Sequence, residues 1–106
     1  MRLSRKQRDF TKALNLLLTW AHAQGYEFTL GDAYRSPRVK WHYGHPDSYH
    51  KRRLAIDLHL FIDGQYQRTT EAHRPIGEMW ERLGGTWGGR FINRPDGNHY
   101  SWGELR

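Results

Sequence analysis

Residues 55–62, Ala-Ile-Asp-Leu-His-Leu-Phe-Ile, alternate with a period of two, and no other stretch restricts the fold as much. Successive side chains of a strand point to opposite faces, so Ile56, Leu58, Leu60 and Ile62 form one apolar side, with Ala55, Asp57, His59 and Phe61 on the other. The apolar side demands a covering layer. Asp57 is left on the opposite side, where a residue lining a cleft would lie. Asp63-Gly64 then gives a two-residue hairpin signal, returning the chain along residues 65–69.

Two helices are available as cover. Phe10, Ala13, Leu14, Leu17, Leu18 and Ala21 recur at helical spacing and stop near Gln24-Gly25. Ser4 is expected as the N-cap of this helix, with Gln7 as the reciprocal capping-box residue and Leu3 as the staple. Pro75 suits the first turn of a second helix, whose Ile76, Met79, Trp80 and Leu83 make an apolar face ending at Gly84-Gly85. Residues 27–34 read as a further strand, with Phe28 and Leu30 facing one way and Arg35 at its end. Residues 36–53 lack a period and read as a long loop, of a length that in compact domains is usually functional or disordered. Residues 99–102 form the last short strand. The fold class is therefore α+β, a small antiparallel sheet with helices on one face, in one domain spanning residues 1–106.

Composition sets further bounds. The chain has 106 residues, 37% of them hydrophobic, with five Trp and six Tyr, enough for one modest core. No apolar run approaches the ~18 residues of a membrane span; the longest, Leu14 to Ala21, is broken by Asn15 and Thr19. No secretory signal is visible, so accumulation in the cytosol is expected; the chain is also expected to be a monomer. Net charge is +6 and the pI about 10.0, which favours a polyanionic partner, whether nucleic acid or a cell-wall polymer.

The chain has no cysteine, so a metal site must use histidine and carboxylate. His50 and Asp57 are seven positions apart and Asp96 stands three before His99. On one straight strand residues an odd number apart face opposite ways, so His50 must sit in the loop before the strand and curl back over Asp57. The same parity separates Asp96 from His99, with Asp96-Gly97-Asn98 as the turn. Alone, these spacings leave alternatives open: Asp96 as a turn former, His59 as a rival ligand on the face of Asp57, and His42, His45 and His73 as loop residues. Trp87 and Tyr100 can wall a cleft or fill the core. A basic nucleic-acid-binding module, or a small metal-dependent nuclease, would also account for the charge and the aromatic residues.

Three strings add a resemblance. Ser48-Tyr49-His50-Lys51-Arg52-Arg53-Leu54-Ala55-Ile56-Asp57 resembles the S-x-H-x(6)-D block of the M15 metallopeptidases. The run from Trp87-Gly88-Gly89 to Asp96-Gly97-Asn98-His99 resembles that family's Trp-Gly-Gly turn followed by acid-x-x-His, and Tyr34-Arg35-Ser36 its Y-R-S segment. Together they span about two-thirds of the chain, from Tyr34 to Trp102. The resemblance implies a Hedgehog/DD-peptidase-like fold and Zn2+ held by His50, Asp57 and His99. It implies Asp96 as general base, Arg35 as substrate and oxyanion contact, and Ser48 as substrate contact. The implied substrate is the stem peptide of peptidoglycan, cut by an L-alanyl-D-glutamate endopeptidase of the phage endolysin type or by a D-alanyl-D-alanine carboxypeptidase. An endolysin would wait in the host cytoplasm and reach the wall after release across the membrane; nucleic acid is not its partner. Family members often carry Gly between the first His and the Asp, where this chain has Lys51-Arg52-Arg53-Leu54, and an acid after Trp-Gly-Gly, where it has Arg90.

Overall fold

The alternating stretch folds as an eight-residue strand, Ala55–Ile62, in a computed structural model that describes residues 2–34 and 49–104, the Lys51 side chain excepted. In chain order the elements are α1 (Leu3–Ala23), β1 (Glu27–Leu30), β2 (Ala55–Ile62), β3 (Gln65–Gln67), α2 (Arg74–Arg82), β4 (Thr86–Trp87) and β5 (His99–Ser101). Short 3-10 turns at Tyr49–Arg52, Glu71–His73 and Gly88–Arg90 link them.

β2 organises the antiparallel sheet. β1 lies along one edge, pairing Glu27 with Phe61 through Leu30 with Leu58. The other edge is shared by two strands: β5 opposite Ala55, Ile56 and Asp57, then β3 opposite Leu60, Phe61 and Ile62. β4 completes the sheet outside β5, with Trp87 opposite Tyr100. Asp63 and Gly64 have φ of 52° and 76°, the left-handed pair that a two-residue hairpin turn uses.

The helices cover the apolar side of β2, as the alternation requires. Phe10, Ala13 and Leu17 of α1 join Ile56, Leu58 and Leu60 of β2 and Ile76 and Trp80 of α2 in one buried cluster with Trp87 and Tyr100. Phe10 meets Trp80 edge to face, 5.9 Å between ring centroids. Trp87 and Tyr100 are thus core rather than cleft walls. Their polar ends are matched: the Trp87 indole N–H donates to the Gly97 carbonyl at 2.8 Å, and Trp80 donates to Ser101 O at 2.9 Å.

Four local expectations are corrected. α1 starts at Leu3 with Arg2 extended before it, and no side-chain cap forms. Ser4 therefore lies inside the first turn, and Gln7 spends its amide on the Arg52 carbonyl at 2.9 Å; docking onto the Tyr49–Arg52 turn wins over the local cap. β1 ends at Leu30, which shares the parity of Phe28 yet is 67% exposed; beyond it the backbone still bonds β2, through Gly31 N to Asp57 O and Asp57 N to Asp32 O. The return strand stops at Gln67 because Thr69 Oγ1 accepts the Ala72 N–H and starts a turn. His73 is no loop residue: it is buried at the end of that turn, its Nδ1 2.8 Å from the Tyr100 hydroxyl. The loop expected over residues 36–53 lies largely outside the described residues, as do His42 and His45.

α2 can approach β4 closely only because residue 77 is glycine, since a Cβ there would run into the Trp87 indole ring. Gly77→Ala is expected to lower the unfolding free energy by about 1–3 kcal/mol through overpacking. Denaturant titration checks it, and an unchanged midpoint would mean that the indole moves aside at no cost.

Candidate metal centre

The register of β2 and β5 sets Asp57 directly opposite His99, so both side chains project from the face away from the helices. His50 comes from the 3-10 turn that precedes β2, where Arg53 at φ 57° and the Leu54 N–H on the Tyr49 carbonyl fold the chain back. Its Nε2 lies 3.1 Å from Asp57 Oδ1, and His99 Nδ1 lies 3.6 Å from the same oxygen. The imidazole rings meet at 76° with centroids 5.1 Å apart. One ligand atom from each of His50, Asp57 and His99 falls within 4.8 Å of the others.

The remaining ring nitrogens decide what this pocket can hold. His50 Nδ1 faces the Ala33 carbonyl at 3.3 Å, and a carbonyl only accepts, so the hydrogen sits on Nδ1. His99 Nε2 lies 2.7 Å from Glu104 Oε1, a carboxylate only 3% exposed, so Nε2 donates there. Both rings therefore turn a bare lone pair toward the Asp57 carboxylate, and a cation or proton must lie among these acceptors. Tetrahedral zinc with bonds near 2.1 Å separates its ligand atoms by about 3.4 Å, and the two separations here, 3.1 and 3.6 Å, bracket that value. The donor set fits Zn2+, with three ligands and a fourth position open to water.

The electrostatics agree. Burial pushes the Asp57 carboxyl upward, but when protons rather than a metal ion lie between it and the imidazoles, hydrogen bonds from His50 and His99 outweigh burial and hold the group at about 2. Burial likewise pushes His99 down, yet Asp57 and Glu104 on either side raise it to about 9. The two carboxylates thus hold positive charge where a dication would sit.

Asp96 is exposed in the turn before β5 and is not among the three clustered groups. Its backbone is fixed: its N–H donates to Gly88 O at 2.8 Å and its carbonyl accepts from His99 N at 3.1 Å. Gly88 makes this closure possible, because a Cβ there would strike the Asp96 carbonyl and come within 2.8 Å of His99 Cβ. Arg35 and Ser48 lie outside the described residues. His59 shares the face of Asp57 but stacks near Tyr66, ring centroids 6.1 Å apart, apart from the cluster. Arg90, which replaces the acid of the resemblance, binds Glu81 on α2 at 3.0 Å.

Sequence reasoning missed Glu104. It comes after the last strand, and Gly103 with φ 85° turns the chain so that its carboxylate comes back to His99. A carboxylate on the far nitrogen of a metal-binding imidazole fixes the tautomer and orients the ring.

A family model of the M15 peptidases, described as D-alanyl-D-alanine carboxypeptidase, matches residues 42–102. The fold is similar to the crystal structure of Serratia marcescens L-Ala D-Glu endopeptidase ChiX, with a TM-score of 0.73 at 18% sequence identity, covering 96% of this chain and 86% of that one. No curated protein matches the chain.

Glu104→Gln retains shape and removes the carboxylate. Zinc affinity, measured by competition with a chromophoric chelator, is expected to fall about 10- to 100-fold with the circular dichroism spectrum unaltered. Wild-type affinity in this variant would remove Glu104 from any role in orienting His99.

Proposed function

Because the chain belongs to the M15 peptidase family, we propose that it is a zinc-dependent hydrolase of peptidoglycan stem peptides, cutting between L-alanine and D-glutamate. The observation that carries this reading is the convergence of two imidazole lone pairs on one carboxylate, on the open face of the sheet. Its support also includes the family match, which spans His50, Asp57, Asp96 and His99, and the likeness of fold to an L-Ala D-Glu endopeptidase.

In the proposed chemistry His50, Asp57 and His99 hold the zinc, which when bound supplies Lewis-acid polarisation and lowers the pKa of water toward neutrality. Asp96 takes a proton from the attacking water and returns it to the leaving amine, work suited to an exposed carboxylate three residues before a ligand. Arg35 steadies the developing oxyanion with its fixed fork of donors, and Ser48 contacts the substrate. Among the described residues the helices pack on the other side of β2, so an extended peptide can approach this one. A role as an endolysin places synthesis in the host cytoplasm and action at the wall after another protein opens the membrane. No helix among the described residues is long and apolar enough to cross one.

The description of the matched family favours a second reading, release of terminal D-alanine by a D-alanyl-D-alanine carboxypeptidase with the same residues. Mass spectrometry of soluble fragments from purified peptidoglycan separates the two: new D-glutamate N-termini mark the endopeptidase, free D-alanine the carboxypeptidase. Chelation should stop either. Asp96→Ala should reduce turnover at least about 100-fold, the lower range for loss of a general base, while zinc stays bound. Full activity in that variant would assign the base elsewhere.

A further inference from the structure

β2 changes partner partway along its edge. β5 pairs with it as far as Asp57, the Asn98 carbonyl accepts the Leu58 N–H, and β3 takes over at Leu60. His59 stands at the gap, and there a cleft of about 150 Å³ opens, lined by Tyr66, Arg68, Thr70, His73, Asp96 and Asn98 among others. Whole small-molecule sites run to roughly 300–1,000 Å³, so this space suits one group of a larger substrate.

Two of its lining residues have donors to spare. Arg68 is exposed and makes no ion pair among the described residues. His73 is only 3% exposed, and Nδ1 is its one hydrogen-bonded nitrogen among them. The Tyr100 hydroxyl, wholly buried, has no acceptor there other than this Nδ1, so it donates. The His73 proton is then on Nε2, leaving an N–H as the ring's uncommitted polar group. Burial, with the charge of His59 adding to it, holds His73 at about 4, so the ring is neutral near pH 7. A buried N–H without a partner is costly, and the cleft is where an acceptor can reach this residue.

We propose that this cleft is the subsite for a carboxylate of the peptide substrate, with Arg68 as its cation and His73 Nε2–H as its buried donor. The inference rests on the peptidoglycan reading above. Asp96 lines the same cleft, so a bond within its reach has its neighbouring groups there. D-Glutamate in a stem peptide is joined onward through its γ-carboxyl, which leaves its α-carboxylate beside the L-Ala–D-Glu bond. That group is the anion the cleft selects, and its conversion to an amide removes the charge that Arg68 reads.

The test uses the zinc-loaded full chain and two synthetic stem peptides that differ only in this group, free α-carboxylate or α-amide. The free acid is expected to show a KM about tenfold lower, the worth of one charge-assisted contact. Arg68→Gln, a surface change, should raise the KM for the acid about tenfold and erase the preference, with kcat within about twofold; His73→Gln tests the buried donor in the same way. Equal KM values for the two peptides in the wild type, or an undiminished preference in Arg68→Gln, would overturn the proposal. Should neither peptide be cut, the peptidoglycan reading fails, and calorimetric titration of both peptides decides the subsite separately. Tighter binding of the acid that Arg68→Gln abolishes supports it, whereas equal or absent binding refutes it.

Discussion

The cross-strand pairing of Asp57 with His99 is the constraint on which the rest depends. A slip of β2 by one residue would turn Asp57 into the core and expel Ile56 and Leu58, and a slip of β5 would do the same to His99 and Tyr100, because side-chain direction reverses at every step of a strand. The core forbids that slip. Tyr100 and Leu58 are fully buried, Trp87 stands opposite Tyr100 on β4, and the Trp102 N–H on the Leu54 carbonyl extends the register past the strand's end. Hydrophobic packing on one side of the sheet therefore fixes the position of the polar groups on the other. With so short a β5 as His99–Ser101, the ladder alone would not suffice.

Much of the fold was legible because its signals were periodic. The strand 55–62 and the two helices needed only the spacing of apolar residues, and the Asp63-Gly64 turn only its composition. What failed was local chemistry overruled by a distant partner. Ser4 and Gln7 make a sound capping box until the Arg52 carbonyl arrives to take the Gln7 amide, 45 positions away in sequence. His73 looked like a loop residue because nothing nearby in sequence announces that Tyr100, 27 positions on, will carry a hydroxyl to its ring. Leu30 kept its expected parity and lost its expected burial, since direction is set by the strand alone and cover depends on what packs over it.

The site divides along similar lines. That His50 had to leave the strand to meet Asp57 was a consequence of parity, and the turn at Tyr49–Arg52 supplies the departure. Glu104 was illegible for the converse reason: its approach to His99 depends on the left-handed Gly103, and a lone glycine in a sequence does not reveal the direction in which it turns the backbone. Arg90 illustrates a third case, in which a departure from the family pattern is absorbed by Glu81 and Glu78 on α2.

Charge operates here on two scales with opposite signs. The chain carries +6 overall, a field that draws polyanions toward its surface from a distance and fades over about 8 Å at physiological salt. Within the pocket the balance reverses: Asp57 and the buried Glu104 face two imidazoles whose lone pairs turn inward, so the local groups sum to about −2 when the rings are neutral. A dication in the pocket would neutralise that sum, which matters because His50, His99 and Glu104 are each at most 5% exposed and solvent screening is weak there. Glu104 would stand one imidazole removed from such an ion, so it can offset charge and orient His99 without taking up a coordination position. A zinc ion held by three such groups would keep a position open for water, the position that hydrolysis requires, and a carboxylate bonded to the ion in place of water would close it.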